Sequence, residues 1–263
     1  MESAANARSR VQYVLRSKGQ WRGQGMVLSD ILRHAQNTRT SEPKDKIYAF
    51  LGVVHQMYNI PIKYEKAYGI NSVLIDTACA IINHEPNGLS ILLDAGTSTG
   101  SRRLASGEDR LPSWIPDWTK PDDPYRTSFV MALNIPKDCC AGGRDIPGLR
   151  FAPDDNGLPN RRLILRGYRF AVLNEMGPDT YENFRVFHIS SGQQIIATDL
   201  AQRGDEVWIF QGVNWPFTVR KTRQLGHCIL LSAATIRERT SGMTISPVMY
   251  GQSARSWEPI TLV

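Results

Sequence analysis

The chain has 263 residues, of which 41% are hydrophobic, 21% charged and 9% aromatic, enough apolar side chain for one or two packed domains and too much for a disordered polymer. Its 31 Lys and Arg exceed its 25 Asp and Glu, and nine of the former against four of the latter fall at or before Lys46, so the excess charge is N-terminal. The longest apolar run, Val73 to Ile82, contains Asp76 and is about half of the roughly 20 residues a membrane-spanning helix needs.

Met1 to Arg10 carries Glu2, Arg8 and Arg10 and lacks the apolar stretch of a secretory signal, so a soluble cytoplasmic protein is expected. Arg8, Arg10, Arg16, Lys18 and Arg22 are interleaved with Tyr13 and Trp21, a pattern able to touch phosphates or acidic lipid. No helix-turn-helix, zinc-finger or RNA-binding signature accompanies it, which favours a solvated terminal helix over nucleic-acid binding.

Up to about residue 85 the apolar residues recur at helical spacing. Met26, Val27, Ile31, Leu32 and Ala35 make one face of a short helix that Ser29 or Asp30 could cap or interrupt. In the second helix Ser41 is the expected N-cap, with Glu42 and Pro43 in the first turn, Ile47, Phe50 and Leu51 on the apolar face, and Gly52 at the end. Asp45, near the positive end of that helix, is expected to tie the preceding loop to backbone N–H groups. A third helix is predicted from Glu65 to Asn83 on Ala67, Ile70, Leu74, Ala78 and Ile81, stopped by Pro86 and Gly88.

A stretch rich in Gly, Pro, Ser and Asp follows. Within it, Leu111-Pro112-Ser113-Trp114-Ile115-Pro116-Asp117-Trp118 has two prolines that disfavour helix at Leu111 and Ile115, so an extended strap is expected, with both tryptophans as packing anchors. Asp117, Asp122 and Asp123 beside those rings resemble a paired-carboxylate site for a stacked sugar, a reading the proline spacing opposes. Gly142-Gly143-Arg144-Asp145 reads as a plain loop before it reads as an anion site.

From about residue 160 the apolar residues alternate at strand spacing. Leu163 to Leu173 is one strand, and Phe184 to Ile189 with Gln194 to Thr198 is a hairpin turning at Ser190-Ser191-Gly192. Val207 to Phe210, Trp215 to Arg220 and His227 to Ser232 follow, separated by Gly204-Asp205, Gly212, Asn214 and Gly226. Short strands so spaced suggest an antiparallel sheet or small barrel.

Catalytic spacings are missing: no G-x-S-x-G elbow, phosphate loop, G-x-G-x-x-G turn or H-E-x-x-H helix occurs. His34, His55, His84, His188 and His227 are scattered without ligand spacing, and His84-Glu85 stops at Pro86. Cys79 and Cys228 read as buried free thiols, and adjacent Cys139 and Cys140 are poor partners for one metal or one disulfide.

Three strings carry a family resemblance. Ser41 to Gly52, reading S-E-P-K-D-K-I-Y-A-F-L-G, resembles the D-P-R-D-K-I-Y-A-L-L-G segment of fungal heterokaryon incompatibility (HET) domain proteins, and Leu111 to Trp118 is similar to their L-P-S-W-x-P-D-W segment. Arg203 to Gly212, continuing through Pro216 and Arg220, is similar to the family's G-D-x-V-x-x-x-x-G-x-x-x-P-x-x-x-R strands. The A-L-S-Y-x-W-G, W-I-D-x-x-C-I-N-Q and R-x-W-x-x-Q-E strings of the HET domain proper do not occur, so the resemblance covers about residues 26 to 240 and implies the region that follows that domain. Where family members end in H-G-x-M-x-G-E, this chain has Arg237-Glu238-Arg239-Thr240-Ser241-Gly242-Met243. Within the family the missing domain is held to be related to Toll/interleukin-receptor-like modules, some of which cleave nicotinamide dinucleotides, so the resemblance puts any such activity outside these residues.

The expectation is therefore an α+β protein with a helical region over 1–110, a Trp/Pro-rich connection over 111–159 and a small antiparallel or barrel-like β domain over 160–263. By resemblance it is the non-catalytic accessory portion of a HET protein, truncated or stand-alone, acting through contacts with a protein partner such as a full-length relative. No catalytic, cofactor-binding or metal-binding residue is assigned. An enzyme of unknown class and a basic N-terminal binder of nucleic acid or acidic lipid are the alternatives.

Overall fold

The computed structural model describes residues 27–36, 38, 40–54, 57–96, 111–121, 148–181, 184–189, 192–238 and 256–263. The N-terminal basic cluster, Asp122, Asp123, the cysteine pair 139–140 and the loop 142–145 lie outside the described residues.

Among the described residues three helices come first: α1 (Leu28–Ala35), α2 (Asp45–Leu51) and α3 (Ile70–His84), followed by a 3-10 helix, Gly88–Leu93. The second begins later than Ser41, which lies outside it: the N–H of Asp45 bonds the Glu42 carbonyl in a turn, and Glu42 Oε1 accepts from the Lys44 N–H. Likewise α3 starts at Ile70 rather than Glu65. The residues just ahead of it are held away from helix by tertiary bonds, since Lys44 Nζ takes the carbonyls of Lys63 and Glu65 and Gly69 is extended. Nine consecutive or near-consecutive residues of α3 between Val73 and Ile82 are buried, so this helix is enclosed on most sides.

Ten strands follow among the described residues: β1 (Arg150–Ala152), β2 (Arg162–Val172), β3 (Glu175–Tyr181), β4 (Phe184–His188), β5 (Gln193–Thr198), β6 (Glu206–Phe210), β7 (Pro216–Lys221), β8 (His227–Ala233), β9 (Thr235–Glu238) and β10 (Glu258–Leu262). In the first sheet β2, β10, β8, β7 and β6 pair in that order, and β6 returns to β2, closing a five-stranded barrel with β1 on its margin. All its pairs are antiparallel except β10 with β8. Closure uses the length of β2, whose first half pairs with β10 and whose second half pairs with β6 across a bulge between Arg169 and Ala171.

A second sheet, β3-β4-β5-β9, lies beside the barrel. The β4–β5 hairpin forms where its turn residues place it, with Gly192 at φ 81°. Strands β1, β3, β9 and β10 have no counterpart in the sequence reading. The chain is α+β: helices first, then β.

Alternate residues of the barrel strands, Leu163 and Leu165, Trp208 and Phe210, Phe217 and Val219, Cys228 and Leu230, Ile260 and Leu262, belong to one buried cluster with Leu28, Ile47, Leu74, Ile81, Leu92, Trp114 and Trp118. Helices, Trp/Pro segment and barrel thus share a core. A smaller core, including Leu173, Phe187, Ile195, Val207 and Ile236, joins strands of the second sheet to the outer face of β6. With Ile209 packed against Tyr168 and Trp257, β6 is buried along its whole length. No helix among the described residues is long and apolar enough to cross a membrane.

Candidate functional site

Four polar assemblies hold the side chains that could carry function, and the first lies at the Trp/Pro segment. It is not a plain extended strap. The Ile115 N–H bonds the Pro112 carbonyl and the Lys120 N–H bonds the Asp117 carbonyl, giving two reverse turns between which the prolines block helix. Trp114 and Trp118 are 0% and 1% exposed. The first stacks on Phe151 with ring centroids 5.8 Å apart and donates from Nε1 to the Arg161 carbonyl at 3.3 Å. Ser113 Oγ accepts from the Leu230 N–H at 2.9 Å and donates to the Val263 carbonyl, tying the segment to β8 and to the residue after β10.

Helix α2 grips this segment through a buried lysine. Lys46 is 8% exposed, and its Nζ donates to the carbonyls of Gln36, at the end of α1, and Thr119, each at 2.9 Å. Burial holds its pKa below 10.5, and nearby Asp117 opposes that shift. Asp117 accepts from the N–H of Thr119 at 3.2 Å and from its Oγ1 at 2.5 Å, and it lies 3.7 Å from Lys120 Nζ. Asp45 ties its neighbourhood through a side chain rather than backbone N–H groups: Oδ1 accepts from the Tyr64 hydroxyl at 2.6 Å.

The second assembly caps α1. No side chain of its own does so. Instead Glu85, just past α3, accepts from the Ser29 N–H at 3.0 Å, from Ser29 Oγ and from the Tyr58 hydroxyl at 2.9 Å, while Tyr58 accepts from the Leu28 N–H at 3.0 Å. A third lies at β6 and β7. Arg220 makes a bidentate pair with buried Asp205, at 2.8 and 2.9 Å, and also donates to the Leu200 carbonyl at 2.8 Å. Next to it Glu206 accepts from Arg169 and Lys221 at 2.9 Å and from Trp208 Nε1 at 3.0 Å. Burial would raise the pKa of Glu206, and these donors together outweigh it and hold it below 4.5.

The fourth is a half-open groove of about 530 Å3 at one mouth of the barrel. Its apolar lining comes from buried Pro112 and half-buried Ile229 and Val263. One wall is the loop from β1 into β2, with Asp154, Asp155, Arg161 and Arg162; the other is the β7–β8 turn, with Thr222, Arg223 and Gln224, and His227 beside it. Arg162 pairs with Asp155 and lowers its pKa. His227 is held below 6.5, first by burial and then by Arg162.

No family model, curated protein or solved structure matches this chain.

The histidines do not converge. His84 lies edge-on to Tyr58, with ring centroids 6.0 Å apart; His188 sits on β4 against Gly177; His227 lines the groove. Nothing is described of the His34 side chain or of His55. Among the described residues no group of three His, Cys, Asp or Glu could hold a metal. Cys79 and Cys228 are buried free thiols, and burial raises their pKa values to about 12 and about 11, so both stay protonated near neutrality.

Of the paired carboxylates suggested by sequence, only Asp117 is described; it accepts from Thr119 in its own turn and lies near Lys120 and Lys46. Sequence reasoning missed the groove. Its walls are about 60 residues apart in sequence, and no local spacing connects Arg161–Arg162 with Thr222–Gln224. It also missed the burial of Lys46 and Glu85, because a charged side chain is ordinarily expected in solvent.

Proposed function

We propose that this chain is the non-catalytic accessory portion of a heterokaryon incompatibility protein, acting through protein contacts in fungal non-self recognition in the cytoplasm. The observation that carries the reading is how the residues of the three family-like strings are used. Lys46 in the first joins α1 to Thr119, just beyond the second; Trp114 and Trp118 in the second are core; Asp205 and Arg220 in the third fasten β7 to the turn before β6. All of them stabilise the fold, which is how motif residues behave in a scaffold rather than a reaction centre.

A contacting surface is available next to the first string. Val53, Met57, Ile62 and Tyr64 are exposed large hydrophobic residues between α2 and α3, with Met57 82% exposed. The test is association of the purified chain with a purified HET-domain protein carrying the A-L-S-Y-x-W-G and W-I-D-x-x-C-I-N-Q strings, followed by sedimentation. Saturable binding, weakened by the double variant Met57→Glu, Ile62→Glu, is expected. Absence of association at roughly 100 µM, a concentration at which even weak interfaces populate, would remove the proposal.

A further inference from the structure

The groove at the barrel mouth has the make-up of a small-ligand site. Its volume of about 530 Å3 falls within the range of roughly 300–1,000 Å3 common to such sites, and barrel mouths are a frequent location for them. An apolar base with a few polar groups around it is the usual composition.

The charges around it are unequally engaged. Asp154 Oδ1 accepts the N–H groups of Asn156 and Leu158, each at 2.9 Å, so that carboxylate is occupied in holding its own loop. Asp155 is bound by Arg162, and Gln224 also reaches it. The Arg161 backbone is fixed by Trp114, which puts the start of β2 in register with the Trp/Pro segment. Arg223 on the opposite wall is exposed and has no ion-pair partner among the described residues. His227 lies between the walls, with its pKa below 6.5, so at neutral pH it is an uncharged imidazole able to donate one hydrogen bond.

We propose that this groove binds a small phosphomonoester, its flat apolar body on Pro112, Ile229 and Val263 and its phosphate oxygens on the Arg223 guanidinium and the His227 imidazole. A phosphate dianion suits a lining in which three arginines face two carboxylates, and its three oxygens can accept from a planar guanidinium and a neutral ring together. A carboxylate carries less charge and only two oxygens. The base then separates an organic phosphate from the inorganic ion, which gains nothing from apolar contact. No bond is made or broken in this binding, and the inference stands apart from the protein-contact reading.

The test is calorimetric titration of the full chain, near pH 7, with phenyl phosphate, inorganic phosphate and phenylacetate. Phenyl phosphate is expected to bind saturably, roughly tenfold or more tightly than either of the others. Arg223→Ala should weaken it by about tenfold, as loss of a charge-assisted pair does, with an unchanged thermal midpoint. Arg203→Ala, at an exposed turn away from the groove, should leave it unaltered. The proposal is overturned if phenyl phosphate does not bind, if inorganic phosphate or phenylacetate binds as tightly, or if Arg223→Ala has no more effect than Arg203→Ala.

Discussion

Replacing Lys46 by Met tests whether the first string works as a clamp. Methionine keeps most of the aliphatic stem in the core and removes the ammonium, leaving the carbonyls of Gln36 and Thr119 without their 2.9 Å donor. Two hydrogen bonds from a charged donor contribute about 1.5–3 kcal/mol each, and the burial that lowers the Lys46 pKa returns part of that when the charge is removed. The expected net loss is about 3 kcal/mol, or roughly 6–12 °C in thermal midpoint for a chain of this size. Urea unfolding followed by tryptophan fluorescence suits the measurement, because Trp114 and Trp118 are buried beside the clamp. Exposed Lys66→Met is the control, expected to change stability by less than about 0.5 kcal/mol. A Lys46→Met protein as stable as that control would refute the clamp.

Three other perturbations follow from the same contacts. Arg220→Met strands the buried Asp205 carboxylate and should cost about 3–5 kcal/mol, whereas the paired change Arg220→Met, Asp205→Leu should recover much of the loss, both read by urea unfolding. Gly96→Ala should leave little folded protein, since Gly96 has φ 70° and an added Cβ would meet the Leu231 carbonyl oxygen at 2.2 Å; a normal circular dichroism spectrum and midpoint would contradict this. Stability should fall as pH rises, first above 9 and more steeply above 10. Burial raises Cys79 and Cys228 from 9.0 to about 12 and about 11, and burial, opposed by the Leu28 hydrogen bond and helped by that to Glu85, raises Tyr58 to about 12, so the unfolded chain releases protons that the folded chain keeps. Cys228→Ala should flatten the segment between 9 and 11, and an unchanged profile would count against it.

The parts of the fold that were legible are the ones encoded by neighbours in sequence. The β4–β5 hairpin is announced by Ser190-Ser191-Gly192 between two alternating apolar runs, and α3 by its helical spacing with Pro86 and Gly88 beyond it. The parts that were not legible depend on distant partners. Strand β10 gains its place by pairing with β2 and, in parallel, with β8, and no local pattern states that closure. Gly177 and Pro178 obscure β3, whose register shifts between Met176 and Thr180. Helix α2 begins at Asp45 because the turn of Glu42 to Lys44 takes up the chain that Ser41 would have capped.

The same division holds for the candidate sites. The Trp/Pro segment was visible as a pair of core anchors, since two prolines and two indoles leave few other uses. Lys46, Glu85 and Asp205 were not visible as buried groups, because their burial requires acceptors or donors from other segments: Lys46 reaches Thr119 across 73 residues and Glu85 reaches Ser29 across 56. A charged residue in sequence reveals its chemistry and not its partner.

The most direct measurement of the scaffold account is nicotinamide dinucleotide turnover by the purified chain, followed by product chromatography over hours at high protein concentration. The account predicts no product above the rate in buffer. Turnover that disappears in Asp117→Asn or His227→Gln, with the fold unchanged by circular dichroism, would contradict it.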